Sequence, residues 1–301
     1  MAASADAVET APRPSAGRRV ATFLFRRPRL QVGLLLAAPL GWLLVAYLGS
    51  LVVLFVAAFW RLDPFTSEVV QDPGLENFET LARSEVYRTI TLRTIGVAAA
   101  VTLTDAMLAL PIAYYMAKVA GRRTRGLLVV AILMPLWSSY LVKVYAWRVI
   151  LQEEGILNWA LSPLGLSGPG FGNVATWLVF SYLWLPYMIL PVYAGLERIP
   201  SALLEASGDL GARAWRTFRQ VVLPLALPAV VAGSIFTFSL TLGDYITPTL
   251  VSSTQFIGNV VYANVGVANN LPFAAAFATV PVVVMILYLL AARRLGAFES
   301  L

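Results

Sequence analysis

A charged segment that separates two apolar stretches decides the fold. It reads ERIPSALLEASGDLGARAWRTFRQVVLPLA, from Glu197 to Ala226. An apolar stripe and a basic face run through it, and Gly211 permits a turn between two short helices. The stripe consists of Leu203, Leu204, Leu210, Trp215 and Phe218, and the basic face of Arg213, Arg216 and Arg219. Residues 197–224, which we call the charged loop, are therefore predicted to dock on another protein; lying on lipid headgroups is the alternative.

The composition indicates a membrane protein without catalytic chemistry of its own. Of 301 residues, 59% are hydrophobic and 13% are charged, a balance typical of membrane proteins. The sequence contains neither Cys nor His, which excludes disulfides, thiol nucleophiles, Ser-His-Asp triads and His or Cys metal sites. It also lacks the Gly-Lys-Ser/Thr of a phosphate-binding loop. We therefore expect no cofactor, no metal and no ATP hydrolysis by this chain alone.

Apolar stretches predict an all-α, polytopic membrane protein with six transmembrane helices. Each stretch approaches the ~20 residues that cross a bilayer as a helix. The first, too long for a cleaved signal peptide, follows a basic tail at residues 1–29 that we expect to be flexible and cytoplasmic. Residues 30–301 form the expected transmembrane domain. Its six spans are predicted at Val32–Phe59, 91–118, 127–147, 174–196, 222–243 and 273–292.

The distribution of Arg and Lys predicts the orientation in the membrane. Basic residues cluster at the ends of apolar segments, as topology signals do, so the net charge of +6 does not indicate nucleic-acid binding. The tail, the 118–125 loop, the charged loop and Arg293-Arg294 share one side. The 244–272 loop on the other side contains no Arg or Lys. Both termini and the charged loop are therefore predicted to be cytoplasmic, at the inner membrane of the cell.

The spacing inside the charged loop resembles a known signature. Glu205-Ala206-Ser207, three residues, Gly211, nine residues and Val221-x-Leu223-Pro224 are similar to the signature of the membrane subunits of binding-protein-dependent ABC importers. The departures are Ser207 in place of Ala and Val221 in place of Ile. In that family, the Glu can pair with a basic residue of the ATPase, and the Gly permits the turn. The resemblance thus implies that Glu205, Ala206, Gly211, Leu223 and Pro224 form the coupling element. The alternative is that Glu205 merely caps a helix or stays solvated.

The likeness extends over roughly residues 90–275. Four stretches resemble the spermidine/putrescine branch of these permeases: 110–117, 134–147, 185–191 and 242–250. Relatives for ferric iron, phosphonates and sugar-like solutes share much of this pattern. Polyamine is therefore the expected solute, and those other solutes are the alternatives.

The resemblance also implies an assembly. Two permease subunits, the second one related rather than identical, would form the pathway in the lipid bilayer. Two ATP-binding subunits would dock inside, and an extracytoplasmic solute-binding protein would deliver solute outside. A secondary transporter without ATPase is the different class of function, but neither the inverted repeats nor the broken helices typical of it are evident in the sequence. Co-purification of an ATPase subunit separates the two.

Six polar or aromatic residues are candidates for the solute pathway. Asp105 is predicted at mid-membrane depth, where an ionised carboxylate costs at least ~2.5–3.5 kcal/mol unless it faces water or a partner. It either lines the pathway or bonds to a neighbouring helix. Asp244 and Tyr245 are predicted near the outer mouth, where interfacial water is the alternative environment. Trp137, Tyr140 and Trp184 belong to an aromatic concentration that either attracts ammonium groups or forms a membrane-interface belt.

Overall fold

The computed structural model describes Phe25 and residues 27–294. The expected basic tail, residues 1–29, therefore lies almost wholly outside the described residues. The chain divides into two compact units, residues 1–56 and 57–301.

The described part of the first unit is a single long helix. It consists of α1 (Pro28–Trp42), a π-helical segment (Leu43–Leu48) and α2 (Gly49–Ala57). This helix corresponds to the span predicted at Val32–Phe59, and its most apolar window of 18 residues has no buried side chain. A helix that is apolar all round and not covered by its own chain is suited to contact with lipid or with a partner.

A short ribbon opens the second unit. Strands β1 (Arg61–Leu62) and β2 (Val69–Val70) pair antiparallel, with Arg61 opposite Val70. The Asp63 carboxylate accepts the backbone N–H groups of Phe65 (2.8 Å) and Thr66 (3.1 Å) in the turn between them. These hydrogen bonds lower the pKa of Asp63, because they favour its charged form.

Twelve α-helices follow in the described part of the second unit. In chain order, they are α3 (Glu76–Arg83), α4 (Glu85–Tyr114), α5 (Arg122–Trp137), α6 (Tyr140–Leu151), α7 (Ile156–Leu161), α8 (Asn173–Glu197), α9 (Ser201–Asp209), α10 (Ala214–Thr217), α11 (Leu223–Gly243), α12 (Ile246–Val251), α13 (Ile257–Gly266) and α14 (Leu271–Arg294). Short π-helical segments extend α4 (Tyr115–Val119) and precede α11 (Phe218–Val222), and a 3₁₀ turn (Ser162–Leu164) follows α7. The spans predicted at 91–118, 174–196, 222–243 and 273–292 are confirmed as α4, α8, α11 and α14.

The span predicted at 127–147 is not one continuous helix. It is divided into α5 and α6, which meet at an angle of 92°. The break at Ser138-Ser139 frees the carbonyl of Pro135 from helical bonding, and two side chains replace the lost donor. The Ser138 hydroxyl donates to this oxygen at 2.8 Å and the Lys143 ammonium at 3.1 Å. Lys143 thus stabilises the bend.

The three helices α4, α8 and α11 form the centre of the second unit. Ala109, Ala113 and Ala117 recur every fourth residue, so they share one face of α4 and its extension. That face packs on Met188, Val192 and Leu196 of α8, which are all buried. A methyl group on Gly195 would overlap that of Ala229, so Gly195 allows α8 to approach α11 closely. This small-residue packing supports the base of the charged loop.

Candidate functional site

The charged loop contains the turn that the sequence predicts. Helix α9 ends at Asp209, and Gly211 adopts a left-handed φ of 75°. Its N–H donates to the Gly208 carbonyl at 2.8 Å, and the Ala212 N–H donates to the Ser207 carbonyl at 3.0 Å. This pair of bonds is the Schellman arrangement, which favours glycine in the left-handed position. No atom crowds a side chain at Gly211, so the backbone conformation alone accounts for the glycine.

The charged loop is fixed to the helix bundle rather than extended into solvent. Leu204 and Phe218 pack on the core between α4, α8 and α11. The Phe218 ring also meets Tyr114 edge-on, with 5.9 Å between the ring centroids. The hydroxyls of Ser207 and Thr217 lie 2.9 Å apart and join α9 to α10. A displacement of the loop would therefore be passed to the helices below it.

The end of the loop joins α11 through a π-helical segment. Pro224 has no N–H to donate to the preceding turn, and the Leu223 N–H bonds to the Phe218 carbonyl five residues back. The wider turn accommodates the missing donor. Leu223 is half-buried and Pro224 is exposed at the start of α11.

The solvent-exposed face of the charged loop combines apolar, basic and acidic side chains. Leu210 is 89% exposed and Trp215 is 70% exposed, although Trp215 stacks on Phe218 at 5.8 Å. Glu205 and Ala206 are also exposed. Within the described part of the chain, the Glu205 carboxylate makes no hydrogen bond or ion pair. Arg213, Arg216 and Arg219 add exposed positive charge to the same loop.

Asp244 is used to hold helices together. One carboxylate oxygen accepts the N–H groups of Ile246 (2.8 Å) and Thr247 (3.2 Å), which opens α12. The other accepts the Thr247 hydroxyl at 2.9 Å and the Tyr140 hydroxyl of α6. Four hydrogen bonds occupy the carboxylate, so the local structure, rather than interfacial water, accounts for this acid.

The aromatic candidates are divided between packing and exposure. Tyr140 stacks on Trp184 at 6.0 Å between ring centroids, and Trp184 is buried. Tyr245 stacks on Tyr262 of α13 at 4.6 Å, and both rings are partly exposed. Trp137, at the end of α5, is 88% exposed. Trp137 and the Tyr245–Tyr262 pair therefore present aromatic faces on the surface of the single chain, whereas Tyr140 and Trp184 pack against each other.

Asp105 lies in the interior of the second unit. It is 0% exposed on α4, near the Ser181 hydroxyl of α8. Neither side chain has a hydrogen-bond partner of ordinary geometry among the described residues. The neighbouring Trp177 indole does reach across the same helix pair, donating to Thr104 at 3.0 Å. The carboxylate is thus enclosed within one chain, away from any surface that a second subunit could share, and it makes no hydrogen bond of ordinary geometry to a neighbouring helix in the described part of the second unit.

Residues that the motifs did not indicate complete the site. Lys118, Arg125 and Glu197 meet where α4, α5 and α8 end or begin, beside the charged loop. The sequence indicates Lys118 and Arg125 only as topology signals, because their partners are distant in the chain. Within the described ranges, no group of three or more acidic side chains could hold a metal ion.

Comparisons with known proteins give relatives along almost the whole chain. A family model described as "Binding-protein-dependent transport system inner membrane component" matches residues 109–297. The chain is 45% identical to the inner membrane ABC transporter permease protein YdcU of Escherichia coli (strain K12), with 98% of each chain covered. It is 30% identical to the spermidine/putrescine transport system permease protein PotB of Salmonella typhimurium (strain SL1344), over 83% of this chain and 88% of that protein.

A solved structure shares the fold. One chain of the bacterial alginate ABC transporter, in complex with alginate pentasaccharide-bound periplasmic protein, matches with a TM-score of 0.71 and 18% identity. The match covers 92% of this chain and 97% of that chain.

Replacing Asp105 with Asn should leave the folded chain at least as stable. Asn has nearly the same shape but cannot ionise, so it avoids the cost of a charge that is buried without a partner. We expect an equal or higher melting temperature for the purified chain in detergent. The matched control is Asp244→Asn, which should lower that temperature because an amide nitrogen cannot accept the bonds that the carboxylate oxygen accepts. A lower melting temperature for Asp105→Asn would mean that the carboxyl group makes a stabilising bond inside the chain, with the nearby Ser181 hydroxyl as the candidate partner.

Proposed function

The chain belongs to the family of binding-protein-dependent transport system inner membrane components, and from this premise we propose that it imports polyamine as half of a two-permease pathway. It is a permease subunit of an ABC importer, a multi-pass protein of the inner membrane and not itself an ATPase. Importers of this class work with ATPase subunits and a solute-binding protein. We propose two ATP-binding subunits and a second permease that is related to this chain rather than identical.

The composition of the exposed face of the charged loop supports a contact with the ATPase. A surface with an unpaired Glu205, basic side chains and the exposed Leu210 and Trp215 has the mixture of groups that protein interfaces use. The loop is also packed on the helix bundle through Leu204 and Phe218. A contact made at this face can therefore bias the arrangement of the helices, provided that the ATPase binds the two arrangements with different affinity.

The basic residues support a cytoplasmic position for the loop and for both termini. Lys118, Arg122, Arg123 and Arg125 lie at the same end of the second unit's helices as the charged loop. At the opposite end, the 244–272 loop has no Arg or Lys. Short loops on the cytoplasmic side of a membrane carry an excess of Lys and Arg. ATP-binding subunits would therefore meet the charged loop from inside the cell.

Polyamine is proposed as the solute because of the named relatives and the sequence motifs. The PotB relative, 30% identical, is a spermidine/putrescine permease, whereas the name of YdcU states no substrate. The exposed Trp137 and the Tyr245–Tyr262 pair offer aromatic faces that attract ammonium groups by ~0.5–2 kcal/mol each. Asp105 is left out of this role because it is enclosed. Ferric iron, phosphonate and sugar-like solutes remain the alternatives.

Replacing Gly211 with Val should abolish most ATP-driven transport while the chain still inserts in the membrane. Val cannot easily adopt the left-handed conformation, which costs ~1–2 kcal/mol for residues with a Cβ, so the angle between α9 and α10 would change. Gly211→Asn is the matched control, because Asn tolerates this conformation. The measurement is solute uptake into proteoliposomes, together with the amount of ATPase subunit that co-purifies. Normal uptake in the Val variant would exclude the loop as the coupling element.

Polyamine-loaded binding protein should stimulate ATP hydrolysis by the reconstituted complex. We expect stimulation above the basal rate with spermidine or putrescine and none with ferric iron, a phosphonate or a sugar tested in parallel. The wild-type complex with unloaded binding protein is the control. Stimulation by one of the other solutes alone would replace the polyamine assignment but leave the permease assignment intact.

A further inference from the structure

Arg125 makes three polar contacts at the base of the charged loop. Its Nε donates to the Met116 carbonyl at 3.0 Å, and a second guanidinium nitrogen donates to the Ala117 carbonyl at 3.3 Å. The third nitrogen binds Oε1 of Glu197 at 3.1 Å. Met116 and Ala117 lie in the π-helical end of α4, whose last carbonyls lack helical partners. One side chain in the first turn of α5 therefore joins the end of α4 to the end of α8.

Two further contacts surround the Arg125 guanidinium. The Tyr193 hydroxyl donates to the same Glu197 oxygen at 3.1 Å, which orients the carboxylate. The Lys118 ammonium donates to the Ile199 carbonyl at 2.6 Å, directly before Pro200 and the start of α9. Lys118, Arg125 and Glu197, which we call the helix-end clamp, therefore tie three helices together at the residue where the charged loop leaves α8.

Neither a role as a topology signal nor a role as a stabilising ion pair explains the specific hydrogen bonds of the clamp. A topology signal needs positive charge near the membrane but no particular partner. A half-exposed ion pair by itself contributes little to stability. Bonds from a charged donor to carbonyl oxygens are shorter and stronger than neutral ones, and the planar guanidinium holds several of them in fixed directions. These bonds together fix the ends of α4 and α8 relative to the start of α5, which a single attractive contact would not do.

We propose that the helix-end clamp is a positioning device that passes movement of the charged loop to α4 and α5 as well as to α8. The proposal rests on the proposed function of the loop as the ATPase contact. Without the clamp, the loop would remain connected to α8 through the chain and to the core through Leu204 and Phe218. It would lose the polar bonds that hold its start to the last carbonyls of the α4 extension and to α5. ATP hydrolysis would then continue with less solute moved.

The test is the ratio of solute imported to ATP hydrolysed by the complete complex in proteoliposomes. We expect Arg125→Gln to lower this ratio about fivefold or more, the lower end of usual coupling effects, while the ATPase subunit still co-purifies. Arg125→Lys should have an intermediate effect, because one ammonium cannot reach both carbonyls and the carboxylate. Arg123→Gln is the matched control, since Arg123 is exposed in the same turn and its removal changes the charge equally.

An exchange of the two charges separates a clamp from a plain ion pair. The double variant Arg125→Glu with Glu197→Arg restores opposite charges but sets a carboxylate beside two carbonyl oxygens. We therefore expect no recovery of the transport ratio. Recovery in the double variant, or equal ratios for Arg125→Gln and Arg123→Gln, would overturn the proposal. If the wild-type chain itself brings down no ATPase, the proposed function of the loop fails instead, whatever the clamp variants do.

Discussion

Small side chains allow α4, α8 and α11 to pack closely, and the charged loop is fixed to the surface that these helices form. Ala113 faces the large residues of α8, and Gly195 leaves room for Ala229 of α11. Interhelical packing of this kind replaces the hydrophobic driving force that is absent between helices in lipid. Leu204 and Phe218 belong to the same packed region, so the loop is held against the helix bundle by side-chain packing. The proposed contact of the loop with an ATPase requires such a connection between the loop and the spans.

Polar groups inside the second unit mainly join helices to one another. Asp244 receives four hydrogen bonds and links α12 to α6, while Lys143 and Ser138 satisfy the carbonyl exposed by the bend. A membrane provides no water to replace missing partners, so backbone groups freed by a break must be bonded internally. Asp105 differs, since its carboxylate is enclosed without such bonds.

The sequence predicts helices and turns well where a periodic or regularly spaced pattern of residues indicates them. Apolar length gives four spans of the second unit, and the offset of Gly211 from Glu205 gives a turn between two helices, which the left-handed φ bears out. The break at Ser138-Ser139 escapes prediction because the residues around it are as apolar as a continuous span. The helix-end clamp escapes too, since Arg125 and Glu197 are 72 positions apart. Their meeting depends on how helices pack, and no local pattern encodes it.

The central claim is that the charged loop contacts the ATPase, and site-directed cross-linking tests it most directly. The chain contains no Cys, so a single Cys in place of Leu210 can be combined with a photoactivatable thiol reagent without background. The account predicts a cross-link between this position and the ATP-binding subunit in the purified complex. It predicts none from a Cys in place of the exposed Ser167, at the opposite end of α8. A cross-link from position 167 alone, or from neither position in an intact complex, would contradict it.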